Sequence, residues 1–205
     1  MTFPLHGDLV SLVPMTHEHI EPLLHATENA HDSYRYTLVP TDPAGMTAYV
    51  ARAMEDHEAG VSIPLVLVRH DGTVVGSTRF GDIEHWPATP ARPAVTVAEI
   101  GCSWLAAAAQ STGIYAEAKL LMLDHAFGDM QALRISFTTD ARNHRSRGAI
   151  ERIGATFDGI MRSHLPAADG GIRDSAFYSI LRRDWQYLRP ALQRRVQERA
   201  GSIRT

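Results

Sequence analysis

Apolar and polar positions change period several times along the chain, and each change marks an element. Leu9 to Pro14 alternates Leu9, Ser11 and Val13 against Val10 and Leu12, the two-residue period of a short strand. Thr16 caps a helix to about His25, with Ile20, Leu23 and Leu24 on one side. Pro22 must sit in the first turn of that helix or kink it. Ala30 to Val39, carrying Tyr34 and Tyr36, keeps no period and reads as a loop or broken helix. Asp42 caps and Pro43 opens a second helix, in which Met46, Tyr49, Val50, Ala53 and Met54 share a face and which Gly60 ends. The centre is β-rich. Ile63 to Val68 and Thr73 to Ile83 flank an Asp71-Gly72 hairpin turn, a proline loop runs from Trp86 to Pro93, and Thr96 to Leu105 is the next strand.

The second half alternates. Ile114 to Phe127 is a largely apolar helix closed by Gly128, and Leu133 to Thr139 is a strand. Asn143 caps a helix to Ile153 that Gly154 stops. Thr156 to Ser163 and Ser175 to Leu181 are strands across an Asp169-Gly170-Gly171 turn. From Asp184 onward Trp185, Leu188, Leu192 and Val196 line one side of a last helix, and Gly201 to Thr205 is expected to fray. No repeat or linker interrupts this order, so residues 1–205 read as one α/β domain.

Composition narrows the function classes. Of 205 residues 44% are hydrophobic and 21% charged, which suits a globular domain with its own core. A net charge of −3 gives no basic field for nucleic acid. No apolar run is long enough for a bilayer, and the first residues lack the basic-then-apolar order of a signal peptide. Cys102 is the lone cysteine, so an internal disulfide and a cysteine-based zinc site are excluded, and a cytoplasmic setting fits. The eleven histidines contain no His-Glu-x-x-His pattern, and His17 and His19 lie on different helix faces, so no metal is expected.

The candidate chemistry begins at Gly113. A strand turning through glycine into a helix leaves free N–H groups and a positive dipole end, a site for an anion such as a pyrophosphate. Next come the Leu133 strand and the Asn143 helix. This order carries Gln110-x-x-Gly113-x-Tyr115 and, after it, Asn143, Ser146, Gly154 and Ala155 at fixed spacing. On these residues the chain resembles the GNAT N-acetyltransferase superfamily. The Glu99-Ile100-Gly101-Cys102-Ser103-Trp104-Leu105 segment, Glu117-Ala118-Lys119-Leu120-Leu121 and Arg173-Asp174-Ser175 make it similar to the branch that acetylates ribosomal-protein N-termini. One residue departs from the pattern: Tyr115 stands where the loop usually ends on a small residue, so its side chain must point away from the phosphates.

The resemblance implies a mixed central sheet, splayed between two neighbouring parallel strands (Val97 to Leu105 and Leu133 to Thr139) and flanked by helices. Acetyl-CoA would lie in the gap as co-substrate. N–H groups from Thr112 through Gly113, Ile114, Tyr115 and Ala116 would hold its pyrophosphate, with Gln110 in the same loop. The strand edge at Ser103, Trp104 and Leu105 would pair with the pantetheine arm. Asn143 and Ser146 would face the thioester, and Arg145 and Arg147 either meet the 3′-phosphate or form a solvated face with Arg152. The reaction would be direct attack of a neutral amine. Glu99, alternating with Val97 and Gly101 and two side-chain steps from Ser103, would take the amine's proton toward the acceptor side, unless it pairs with Arg79. A backbone N–H near Cys102 or Ser103 would hold the oxyanion, and Ser146 or Tyr178 would protonate the thiol. Each role has a structural rival: Asn143 as N-cap, Ser146 as a helix polar group, Tyr178 as sheet packing, Cys102 as a small packed residue, and Tyr34, Tyr36 and Trp86 as loop anchors rather than acceptor-pocket walls. The acceptor is left open between a protein N-terminal α-amine and a small amine, and so is a homodimer. A non-catalytic acyl-CoA sensor or partner-binding module on the same fold is the alternative reading.

Overall fold

The structure, a computed structural model, describes residues 3–28, 31–91 and 93–203. Its strands are β1 (Leu5–His6), β2 (Ser11–Pro14), β3 (Ile63–Val68), β4 (Val74–Trp86), β5 (Val95–Leu105), β6 (Ala132–Asp140), β7 (Thr156–Pro166) and β8 (Ile172–Leu181). Its helices are α1 (Ile20–Ala26), α2 (Pro43–Glu58), α3 (Ile114–Gly128), α4 (His144–Arg152) and α5 (Arg182–Ile203). The strands form one sheet in the order β1-β2-β3-β4-β5-β6-β8-β7. Among the described residues only the β5–β6 pair is parallel, because α3 carries the chain back over the sheet between them.

That parallel pair is short. It runs from Thr96 opposite Ala132 to Glu99 opposite Ser136 and stops. Beyond it β5 keeps β4 as its neighbour up to Leu105, and β6 keeps β8 up to Asp140. The two strands splay into a V with Glu99 at its vertex.

Helices cover both faces. α3, α4 and α5 pack one face through Met122, Leu123, Ile150, Trp185 and Leu192, and α1 and α2 pack the other through Leu23, Met46 and Val50. Enclosed between the sheet and α5, α3 is apolar nearly all round. Three polar residues on it are nevertheless buried, Glu117, Lys119 and His125. The Glu117 carboxylate accepts the N–H groups of Asp8, Leu9 and Val10 at 2.7–2.9 Å, tying the first strands to α3. Gly7 is required beside it, since a Cβ there would stand 2.5 Å from Glu117 Cδ.

Several boundaries differ from the sequence reading. The first strand is β2 alone, with β1 paired against it as an additional two-residue strand. Thr16 precedes a 3₁₀ turn, His17–His19, and α1 starts at Ile20, which puts Pro22 in its first turn. Residues 31–34 form another 3₁₀ turn, and Ala30 lies outside the described residues. β4 runs on to Trp86 opposite Val95, shortening the proline loop, in which Arg92 is likewise not described. β7 and β8 extend to Pro166 and from Ile172 around the turn at Gly170 (φ 84°). Gly201 to Ile203 are helical rather than frayed, and residues 204 and 205 lie outside the description.

One irregularity decides which way the site residues point. Ser77 of β4 pairs with Trp104, but Arg79 pairs with Gly101, so β5 carries an extra residue, and Cys102 sits there at φ 49°. The bulge reverses the alternation. Ala98 and Ile100 enter the core shared with α3, whereas Trp104 enters the core shared with α1 and α2. Glu99 and Ser103 therefore face opposite sides of the sheet, which corrects the shared direction that simple alternation implies.

Candidate active site

A cavity of about 820 Å³ opens along the splayed edge of β5 between the starts of α3 and α4. Ser103, Trp104, Leu105, Gln110, Gly113, Tyr115, Ala116, Asn143 and Ser146 line it, so most of the positions marked from sequence come together.

α3 begins on Gly113 in the left-handed region at φ 98°, and no side chain caps it. Among the described residues nothing accepts from the N–H groups of Tyr115 and Ala116. Thr112 does not line the cavity: its hydroxyl donates to Ala109 O at 2.7 Å, and Ile114 N approaches its oxygen only at 3.5 Å. Ile114 is buried in the core. Tyr115 lines the cavity while its ring packs on the core and over Lys119, 5.2 Å from Nζ.

α4 begins differently. Asn143 Oδ1 accepts from Ser146 N at 3.0 Å, a closed N-cap, while Ser146 Oγ has no partner among the described residues. Arg145 reaches across the gap and donates to Gln110 Oε1 at 2.7 Å. Gln110 is a bracket: its amide donates to Ser33 Oγ at 2.9 Å and to Leu105 O at 3.0 Å. Tyr34 also donates to Leu105 O, at 2.9 Å, so that carbonyl is occupied rather than free to pair with a ligand. Tyr34 itself is buried edge-on against Trp104 and walls the cavity.

Tyr178 and Arg147 also lie elsewhere. Tyr178 is fully buried and outside the cavity lining; its hydroxyl accepts from Arg147 Nε at 2.9 Å and donates to Glu151 at 3.0 Å. Arg147 is thereby turned away from the cavity, with its guanidinium over Phe157. Its position one turn from Glu151 on α4 closes a structural network instead of meeting a phosphate.

Glu99 stands at the vertex of the V, outside the cavity lining. Thr138 Oγ1, across the gap on β6, donates to Glu99 Oε2 at 2.7 Å. Burial pushes its pKa above the usual carboxylate range, the Thr138 hydrogen bond pulls it down, Asp82 adds to the rise and Arg173 opposes it. Arg79 is not its partner: that guanidinium lies 3.6 Å from Asp56 and over the Tyr49 ring. Cys102 is exposed at the bulge rather than packed.

Arg195 and Arg199 of α5 line the cavity together with Arg145, Arg152 and one carboxylate, Glu198. The i,i+4 spacing of Arg195 and Arg199 is their sequence signal, shared with any solvated helix face. Behind Ser103 the Lys119 ammonium donates to Ser103 Oγ at 2.6 Å and Thr78 Oγ1 at 2.9 Å. A shallower cleft of about 680 Å³ shares Tyr34 and Thr37 with the first cavity and runs along residues 34–42 to Ala168 of the β7–β8 turn.

A family model described as an acetyltransferase (GNAT) domain matches residues 10–156. The Bacillus subtilis (strain 168) protein named "Putative ribosomal N-acetyltransferase YdaF" is 33% identical over 89 residues, which is 43% of this chain and 48% of that protein. The chain thus spans about half the length of that curated relative. A GCN5-related N-acetyltransferase from Brucella melitensis superposes with a TM-score of 0.82 over 96% of this chain and 86% of that one, at 24% identity. Mycobacterium smegmatis RimJ, solved in complex with CoA-disulfide, gives 0.70 over 84% and 81%, at 22% identity. These two likenesses show the fold.

Proposed function

The chain belongs to the GNAT acetyltransferase family, and we propose that it transfers an acetyl group from acetyl-CoA to a primary amine by direct attack. One observation carries the reading: the uncapped start of α3 faces the same cavity as four guanidinium groups, where β5 has lost its neighbour. Open N–H donors and Arg145, Arg152, Arg195 and Arg199 suit the phosphates of CoA. The unpaired strand edge suits an extended pantetheine arm.

Glu99 is the base in this reading. It sits at the vertex on the face opposite the Ser103 side chain, and its raised pKa brings a carboxylate toward the pH at which it works. The bulge at Cys102 takes backbone N–H groups out of the ladder, which favours an oxyanion donor at Cys102 or Ser103. The amine enters along the cleft beside residues 34–42, and we assign as acceptor a protein N-terminal α-amine. A groove between that segment and the β7–β8 turn accommodates an extended peptide end, and the name of the Bacillus relative agrees.

A mass-spectrometric screen with acetyl-CoA, offering ribosomal N-terminal peptides and small amines together, tests the assignment. Acetylated peptide supports it; acetylation of small amines alone overturns the acceptor class. CoA binding without turnover on any amine would leave the sensor reading. Glu99→Gln sharpens the mechanism. Wild-type turnover should fall as pH drops through the raised pKa of Glu99, and the variant should lack that limb. The two should converge at high pH, where the amine is already neutral, and superimposable profiles throughout would remove Glu99 from the reaction.

A further inference from the structure

Lys119 is 1% exposed, held between α3 and the sheet. Buried ammonium groups normally face a carboxylate, yet among the described residues Lys119 has only hydroxyl partners, Ser103 Oγ at 2.6 Å and Thr78 Oγ1 at 2.9 Å. These two hydroxyls are themselves 2.7 Å apart. Ser103 lines the acyl-CoA cavity and Lys119 does not, so Ser103 is the residue that links the buried ammonium to the cavity; its hydroxyl also lies 3.2 Å from Gly101 O. A nucleophile or donor hydroxyl, an amine behind it and a third group orienting the amine are the arrangement of an activated proton-transfer site.

We propose that Ser103 is the group that protonates the departing CoA thiolate and that Lys119, acting through Ser103, is the positioning residue and proton store for that step. This rests on the acetyltransferase reading. The amine nitrogen bonds to the thioester carbonyl carbon, and the tetrahedral intermediate collapses as the C–S pair moves to sulfur. Ser103 gives its hydroxyl proton to sulfur while Lys119 gives one to Ser103 Oγ, leaving neutral Lys119, intact Ser103 and free thiol. The proton shed by the attacking nitrogen goes to Glu99 or to water. Lys119 regains a proton from solvent through Ser103 after the products leave.

The proton's direction of travel is favourable. Burial lowers the Lys119 pKa to about 7, and a simple thiol sits at about 8.5, so transfer to the thiolate runs downhill. An ordinary lysine at about 10.4 would hold its proton. The titratable groups facing the cluster are Tyr115 from α3, pushed up by burial, and Cys102 from β5, whose thiol the surrounding protein also pushes up although the residue reaches solvent at the bulge, so both are neutral near pH 7; β4 contributes Thr78. Ser146, a second serine that the sequence offers as thiol donor at the cavity, has no comparable proton store bonded to it among the described residues.

The test compares wild type, Lys119→Met, Ser103→Ala and the double variant by CoA release against pH, with CoA binding measured by calorimetry to confirm an intact site. Each single variant should lose about 100-fold in kcat with KM for acetyl-CoA held within about threefold. The double variant should be no worse than either, because the two residues act as a unit. Wild-type kcat should fall as pH rises through the Lys119 pKa, and both variants should lack this alkaline limb. A single variant that keeps wild-type kcat and the limb overturns the relay, as does an acetyl adduct on Ser103, which would make it a nucleophile. A wild type that binds CoA but acetylates no amine overturns the acetyltransferase reading and the relay with it. Turnover in wild type matched by the variants overturns the relay alone.

Discussion

Helices α3 and α4 both start at the cavity, but their first turns are finished differently. α4 opens on Asn143, whose side chain takes up the Ser146 N–H at 3.0 Å. α3 opens on Gly113, which has no side chain, and the N–H groups of Tyr115 and Ala116 point to no acceptor among the described residues. Every helix start leaves backbone donors to be satisfied. Where the chain spends a residue on capping, the start is a structural joint; where it leaves the donors open beside cationic side chains, the start is a place for an anion. The same contrast separates Gln110, consumed as a bracket between Ser33, Leu105 and Arg145, from Gly113, which contributes only backbone.

The sharpest way to break the contrast is to close the α3 start. Gly113→Glu places a carboxylate at the open donors, in a backbone conformation (φ 98°) that side chains resist, with a Cβ only 3.0 Å from that of Arg199. Losing two charge-assisted hydrogen bonds costs about 3 kcal/mol, so CoA affinity should fall about 100-fold or more by calorimetry. Gly113→Ala separates the causes. It carries the left-handed strain of about 1–2 kcal/mol without the charge, and should lose stability more than affinity. Equal affinities for Gly113→Glu and wild type would show that no phosphate meets this turn.

The arginines come next in size. Arg145, Arg195 and Arg199 line the cavity from α4 and α5 and are exposed, so each contact with a phosphate is screened and worth roughly 1 kcal/mol. Arg145→Ala, Arg195→Ala and Arg199→Ala should each weaken CoA binding about fivefold at low salt, and the loss should shrink as ionic strength rises. Arg147→Ala is the control, because its guanidinium serves Tyr178 and lies over Phe157. A salt-independent loss at Arg199 would point to packing over Gly113 rather than to charge.

The contrast also explains which features are legible in the sequence. Glycine at 113 and 154 and asparagine at 143 punctuate the chain because backbone geometry demands those residue types, so the strand–turn–helix order and both helix starts were legible. The bulge at Cys102 was not, since an extra residue in a strand leaves no compositional mark, and a strict two-residue period put Glu99 and Ser103 on one face. Arg195 and Arg199 carry no mark in the sequence beyond an i,i+4 spacing, because proximity to the cavity depends on how α5 packs against α3. Lys119 read only as one residue of a familiar segment. Its meaning comes from hydroxyls on β4 and β5 that are remote in sequence. The sequence offers Tyr178 beside Ser146 as a donor to the thiol, and the Arg147 and Glu151 pair that occupies its hydroxyl lies on another element.

The smallest effect is the most discriminating, because it asks whether the closed helix start is only structural. Asn143→Ala removes the cap on α4 and should cost about 1 kcal/mol of stability, a fall of about 2–4 °C in Tm for a chain of this size. CoA affinity should change by less than about twofold, since the Asn143 side-chain oxygen is already taken by Ser146 N. Asn143→Asp restores a capping oxygen and adds a charge that suits a helix start, so stability should return. That charge also borders the cavity. If Asn143→Asp regains stability and leaves CoA binding unchanged, the phosphates lie at α3 and the α4 start holds the fold. If it regains stability yet weakens CoA as much as Arg199→Ala does, both helix starts face the phosphates, and the difference between an open and a closed first turn is not what locates the ligand.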